Sequence, residues 1–339
     1  MEDARPRPAA RDALVESPLQ LLSAIEAHAA GLGGQRTNIQ VRRDVPILAR
    51  TREALTRSGL PEGVSSAIRS PRAFLSPFAS ADRIVGDAFS GVFQASLLTR
   101  PTRSLVVVDD GLATLHLGWL LASGEPLLRA GVSAGDRRRR LAGLAASRLG
   151  RLAHAGRLTL FTALPLPEEL RSALSATRVE IVANRFLWLR DRPAEPAPDE
   201  PTVVVGSALP ANGLIDADRY LAWVLGHATD SPLRYIPHRR SHPAVIEALA
   251  RTPGISIDDS HVPIELRLAG MRSGQRVLSL PSTAAVLLTT LLTPVGVEVE
   301  AFPIPGDWWT DQASPERRAY LHSVLPLVES ARTQAEGER

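Results

Sequence analysis

The chain has no cysteine, which excludes disulfides and thiolate metal sites and fits a reducing compartment. It also has no lysine: all 39 of its fixed positive charges are Arg. Arg stays charged at any working pH and grips carboxylate or phosphate in a fork. An Ala/Arg/Pro-rich chain without Lys reflects genome composition first and chemistry second. Long apolar runs are missing too. The longest uncharged stretch, residues 277–297, is broken by Pro281, Pro294 and several Ser and Thr. It reads as strand, turn and buried helix, not as a membrane span. The opening "MEDARPRPAARDA" lacks the apolar segment of a signal peptide. These absences together predict a soluble, cytoplasmic protein. A net charge of +3 is too small to mark a strongly basic binder.

What is present is ample apolar material, 44% of 339 residues. That suffices for a sizeable core, and the length favours two domains over one. One segment is strongly basic: "DRRRR" at 136–140 runs on into "LAGLAASRLGRLAHAGR". It reads as an amphipathic helix with a solvated face. The rival reading is peripheral contact with anionic lipid at the inner membrane face, or with an acidic polymer. No aromatics interleave with those arginines, so nucleic acid is not expected as a partner.

Along the chain, apolar runs alternate with helical patterns. Residues 1–12 are read as disordered. Residues 13–190 form a first βα domain, with strands in "ALV", "NIQVRR", "RIVGD", "SLVVVDDG", "LTLFTAL" and "RVEIVANRF". Residues 191–201, "DRPAEPAPDEP", read as a Pro-rich linker. The same rhythm restarts over 202–310, and 311–339 reads as a final amphipathic helix and tail. Alternating strands and helices predict α/β architecture: two Rossmann-like domains, each with a mostly parallel sheet, facing across a cleft. Ligands of such sheets sit beyond the carboxyl ends of the strands.

Those ends carry the informative residues. They are Ser17, Asp87, Asp109–Asp110–Gly111, Gly206–Ser207, His238–Arg239–Arg240 and Ser282–Thr283. Each has a plain structural reading. An Asp or Ser at a strand-to-helix loop caps the helix, and basic loops are common. Glu265 in "VPIELRL" opens a helix, where the dipole favours an acid. The division between halves is less ordinary. Acids in the first half suit deprotonation of an acceptor hydroxyl. His, Arg, hydroxyls and helix N-termini in the second suit a phosphate. That division is what a nucleotide-sugar transferase requires.

Three motifs, "VVVDDG", "YIPHRR" and "LPSTAA", occur in that order, with "ESPLQLLSAIEA" before them and "PIELRLAG" between the last two. The set resembles the bacterial sialyltransferases and polysialyltransferases of the GT-B type over roughly residues 13–310. The resemblance implies inverting transfer of sialic acid, or a related nonulosonate, from a CMP-activated donor to a saccharide hydroxyl, without metal or cofactor. It implies Asp109 as general base with Asp110 as neighbour, or the roles exchanged. Crowding of the two like charges is expected to raise one pKa. His238 would act on the CMP phosphate as acid or electrophile, beside Arg239. Ser282 and Thr283 would hydrogen-bond that phosphate, and Glu265 would hold the ribose. Gly206 and Ser207 would let backbone approach the nucleotide. Ser17, Gln20 and Gly111 would line the sugar pocket. The partners implied are a nucleotide-sugar donor and an oligosaccharide or glycolipid acceptor. Ser241 departs from the family pattern, which often places an acid there. Two alternatives stand beside this reading: a GT-B enzyme using a UDP- or GDP-sugar, and a non-catalytic binding protein on the same fold.

Overall fold

A computed structural model describes residues 9–70, 80–192, 196–229, 231–258, 260 and 262–337. The chain divides into two compact units, one ending at Arg192 and the other beginning at Pro193. Each is an α/β unit built on its own parallel sheet.

The first unit runs β1 (Ala10–Val15), α1 (Pro18–Ala27), β2 (Arg36–Arg42), α2 (Pro46–Arg57), β3 (Val64–Arg69), β4 (Asp82–Val85), α3 (Gly91–Thr99), β5 (Ser104–Val108) and α4 (Ala113–Ser123). It continues with α5 (Asp136–His154), β6 (Leu158–Thr162), α6 (Glu168–Ala176), β7 (Glu180–Ala183) and α7 (Leu187–Arg190). Among the described residues its strands form one seven-stranded sheet in the order β3-β2-β1-β4-β5-β6-β7, every pair parallel. The central strands are buried on both faces, which is why "SLVVV" is a continuous apolar run. The chain winds outward from β1 to β3, then returns to lay β4 beside β1. That reversal opens a crevice at the carboxyl ends of β1 and β4. One large core packs Leu105, Val107 and Leu160 of the sheet against Phe93, Leu117, Leu149 and Leu170 of α3 to α6.

The second unit runs β8 (Thr202–Val205), α8 (Ala217–Gly226), β9 (Leu233–Ile236), α9 (Pro243–Ala250), β10 (Ile255–Ile257), α10 (Ile264–Leu268), β11 (Arg276–Ser279), α11 (Thr283–Leu292), β12 (Glu298–Ala301), α12 (Pro315–His322) and α13 (Leu325–Glu336). Its sheet order is β10-β9-β8-β11-β12, with the same reversal between β8 and β11. Helix α13 packs on α11. Its Arg332 donates from Nη2 to the Val299 carbonyl on edge strand β12, at 2.8 Å.

The structure corrects four readings. Strand β1 begins at Ala10 and not after residue 12, because residues 10–15 pair in register with β2. Asp12 is buried and receives the Ser80 N–H at 2.6 Å. The rest of the segment read as disordered, residues 1–8, lies outside the described residues. Strand β3, "VSSAIR", was not foreseen; it is a sheet-edge strand without clean alternation. The segment 191–201 is not a bare linker throughout. Pro198 is buried, and its carbonyl and that of Glu200 receive Gln275 Nε2 at 2.8 and 2.9 Å. The expected single last helix is two. Pro326 stands in the first turn of α13, where its missing N–H does no harm but cannot continue α12. No helix among the described residues is long and apolar enough to cross a membrane.

Candidate active site

The two acids after β5 part company. Asp109 is fully buried. Its Oδ1 receives the Thr162 hydroxyl at 2.5 Å and its Oδ2 the Ala163 N–H at 2.6 Å. Both oxygens are thus spent on the end of β6. Burial lifts its pKa to about 6; the charge of Asp110 is the smallest cause, so like-charge crowding is not what shifts it. Neither acid caps the next helix by its side chain. The N-cap position of α4 is Leu112, and the turn is made by Gly111 in the left-handed region at φ +66°.

Asp110 faces the crevice between β1 and β4. Its Oδ1 receives Gln20 Nε2 at 2.7 Å, and its Oδ2 receives Arg129 Nη2 at 2.9 Å. The same Arg129 nitrogen reaches Asp87 at 2.8 Å. Asp87 and Asp110 therefore share one cation. Burial is the main cause holding the Asp110 pKa above its ordinary value, with Asp87 adding to it and the Gln20 and Arg129 contacts opposing. Gln20 is buried in α1, and its Oε1 accepts the Glu16 N–H at 2.7 Å. Gly86 is small because Gln20 lies against it: a Cβ there would sit 2.3 Å from the amide oxygen. Ser17 does what its position after β1 suggests. It caps α1, accepting the Gln20 N–H at 3.3 Å. Ser17, Gln20, Asp110 and Gly111 thus gather at one edge of the first sheet, and Asp109 lies just beneath.

Arg129 escaped the sequence reading because it stands in a loop without a motif, "GEPLLRAGVSAG". Three contacts seat that loop. His116 Nε2 meets the Leu128 carbonyl at 2.9 Å. The buried Gln94 donates to the carbonyls of Ala88 and Leu127 at 3.1 and 2.9 Å. Arg138 reaches Gln94 Oε1 and the Phe89 carbonyl, each at 2.5 Å. One arginine of "DRRRR" is therefore turned inward and is no part of a solvated face. Beneath the loop lies a cavity of about 260 Å³ lined by Phe89, Leu128, Val132, Arg129 and Arg138 among others.

The second unit assembles its own constellation at the carboxyl edge of its sheet. Gly206 follows β8 and donates its N–H to the Ile236 carbonyl at 2.8 Å. A Cβ on Gly206 would fall 2.7 Å from Tyr235 Oη and 2.9 Å from both His238 N and Ile236 O. Two of those atoms are backbone and cannot step aside. A Gly206→Ala variant is expected to lose about 1–3 kcal/mol of stability, read as a lower urea midpoint at unchanged m-value. Ser207 Oγ accepts the Leu209 N–H at 3.2 Å, closing the turn.

His238 Nδ1 accepts the Arg240 N–H at 3.0 Å. This leaves the neutral ring's proton on Nε2, the nitrogen able to donate outward. Burial first, then Arg239 and Arg240, lower its pKa, so the neutral form dominates near pH 7. Ser241, the departure from the family pattern, donates to the His238 carbonyl at 2.8 Å and fixes the same turn. Arg239 is exposed. Ser282 is the N-cap of α11, accepting the Ala285 N–H at 3.2 Å. Its own hydroxyl proton and the first N–H groups of α11, starting at Thr283, remain for a ligand. Glu265 is buried on α10, which packs on α11, and burial raises its pKa.

No protein-family model matches the chain, and no curated protein matches it. Solved structures do align over nearly its whole length. One is a UDP-glucose:anthocyanidin 3-O-glucosyltransferase in complex with UDP. It is 10% identical, with 97% of this chain and 99% of that chain covered and a TM-score of 0.46. MurG of Acinetobacter baumannii is 10% identical, with 96% and 95% covered and a TM-score of 0.39. A UDP-N-acetylglucosamine 2-epimerase from Rickettsia bellii is 10% identical, with 97% and 93% covered and a TM-score of 0.40. At such identities and scores the likeness carries no chemistry. The α/β reading with two parallel sheets rests on the strands themselves.

Proposed function

We propose that the chain is an inverting glycosyltransferase that moves a sugar from a nucleotide-activated donor to an acceptor hydroxyl. The observation that carries this reading is Asp110. Its carboxylate stands at the reversal point of the first sheet, held by a buried amide and shared through Arg129 with a second acid. Of the pair, Asp110 is the base, because Asp109 is fully buried against the end of β6, whereas the Asp110 side chain is partly exposed and within reach of a ligand. Asp110 removes the hydroxyl proton as the acceptor oxygen attacks the anomeric carbon. The bond from that carbon to the donor phosphate breaks on the opposite face, which inverts the centre. Within the second unit, His238 Nε2–H, Arg239, Ser282, Thr283 and the α11 N-terminus are the groups suited to a donor phosphate and the charge it gains on leaving. Glu265 accepts from the ribose diol, and Gly206 and Ser207 border the nucleotide.

The motif resemblance points to a CMP-linked sugar acid as donor. The alternative is a UDP- or GDP-sugar; CMP and UDP share a pyrimidine, a ribose diol and an adjoining phosphate, so the same groups serve either. Thermal shift ranks them. The matching nucleotide at 100 times its dissociation constant is expected to stabilise the protein by about 2.7 kcal/mol, and His238→Ala is expected to abolish most of that gain. Nucleotide release from CMP-sialic acid, UDP-glucose and GDP-mannose, with and without an oligosaccharide acceptor, completes the test. Stabilisation by no nucleotide, or turnover untouched in Asp110→Asn and His238→Ala, overturns the assignment. Binding without turnover of any donor leaves the non-catalytic alternative.

A further inference from the structure

Two hydroxyls are sealed beneath the strand-end turns of the second unit, and the chemistry above gives them no task. Tyr220 on α8 and Tyr235 on β9 are each 1% exposed, and their hydroxyls meet at 3.2 Å. Burial first raises both phenol pKa values, so each keeps a proton to donate. The Tyr220 oxygen accepts the Ser207 N–H at 3.3 Å. The Tyr235 hydroxyl interacts with Ser241, and Ser241 donates to the His238 carbonyl at 2.8 Å. Polar groups shut away from water are paired wherever geometry allows. One sense of donation pairs them all: Ser207 N–H to Tyr220, Tyr220 to Tyr235, Tyr235 to Ser241, Ser241 to the His238 carbonyl. Reversing the tyrosine pair would leave the Tyr220 proton without an acceptor among the described residues. The chain of donors therefore starts in one turn and ends in the other. The two turns also touch directly. The Gly206 N–H meets the Ile236 carbonyl at 2.8 Å, and the missing side chain of Gly206 leaves the room that Tyr235 Oη needs.

We infer that Tyr220, Tyr235 and Ser241 are positioning residues that lock the His238 turn to the Gly206–Ser207 turn, so that the two move as one body. Ser241 suits its place in a way an acid does not. A carboxylate there accepts from Tyr235 but has no proton for the His238 carbonyl. What the lock does for a donor nucleotide rests on the function proposed above; the coupling between the turns does not.

The test reads the two separately. Ring signals of His238 are followed through a pH titration by NMR of histidine-labelled protein, with His238→Ala assigning them. The wild-type ring is expected to titrate below the ordinary value of about 6.5, since burial and the two neighbouring arginines lower it. In Ser241→Ala and in Tyr220→Phe the turn admits water, and the titration is expected to move up toward that value. Ser241→Thr keeps a hydroxyl and is expected to titrate like wild type. Tyr220 has no hydrogen bond to His238, so its variant reports transmission along the chain. Calorimetric binding of CMP and UDP is the second readout. Each single variant is expected to bind about three- to tenfold more weakly, the worth of one hydrogen bond. The double variant Tyr220→Phe, Ser241→Ala is expected to lose little beyond the weaker single, because both cut one chain; independent sites would multiply their losses. A His238 ring that titrates like wild type in Tyr220→Phe overturns the inference, as do losses that multiply. Coupled ring signals in a protein that binds neither nucleotide retire the donor reading and keep the lock.

Discussion

Asp110→Asn is expected to lower transfer by about two to four orders of magnitude, the range lost with a positioned general base, while the melting temperature stays near that of wild type. The asparagine keeps an oxygen for Gln20 and loses the proton-accepting charge. Its ion pair with Arg129 is half exposed on the Arg side and contributes little to stability. Steady-state nucleotide release with saturating donor and acceptor measures the effect. The pH profile supplies a second readout. Because burial and Asp87 hold the Asp110 pKa above its ordinary value, the acidic limb of wild-type activity is expected above the range of a free carboxylate. An Asp87→Asn variant is expected to move that limb to lower pH by removing a like charge. An Asp110→Asn enzyme with wild-type turnover removes Asp110 from the mechanism.

Asp109→Ala is expected to fail in the opposite way, by unfolding. Removing the carboxylate strands the Thr162 hydroxyl and the Ala163 N–H in a buried setting, at about 1–3 kcal/mol for each. A loss of about 3 kcal/mol corresponds to roughly 6–12 °C of melting temperature for a unit of this size. Asp109→Asn separates charge from contact. The wild-type carboxyl has a pKa of about 6 in the folded state against 3.8 for the unperturbed group. Folding therefore favours its protonated form. That contribution is fully present below about pH 4 and is lost as pH rises through about 6. The Asn variant is expected to be less stable overall and to show a flatter stability profile between those values, as read from urea melts at stepped pH. A wild-type slope retained in Asp109→Asn assigns the pH dependence to another group.

The sheet strands were legible because a strand buried on both faces must be apolar throughout. "SLVVV" and "TVVV" announce themselves this way, with helices starting at Ser17 and Ser282 by simple capping. The exposed edge strand β3 carries no such constraint, and it was missed. The candidate site residues were legible for a related reason: polar residues placed where apolar runs stop are conspicuous. Their division of labour was not. Asp109 and Asp110 are adjacent, identical letters, and only the approach of β6 decides which one loses its oxygens to Thr162 and Ala163. Arg129 was invisible for the same cause. It reaches Asp110 through a loop whose path is set by Gln94, His116 and Arg138, each on a different element. His238 was visible as a residue, but its tautomer depends on a turn that Ser241 completes.

The guanidinium of Arg332 gives the last helix a protective duty. A parallel sheet stops at a strand whose outer carbonyls and amides have no neighbour, and such a border recruits any extended chain that drifts past. By seating Arg332 on the Val299 carbonyl, α13 occupies part of that border in the second sheet. Trimming the protein before Leu325 would strip this guard and invite copies to stick together, whatever became of catalysis. Fusions and tags at the carboxyl end should accordingly leave the helix whole.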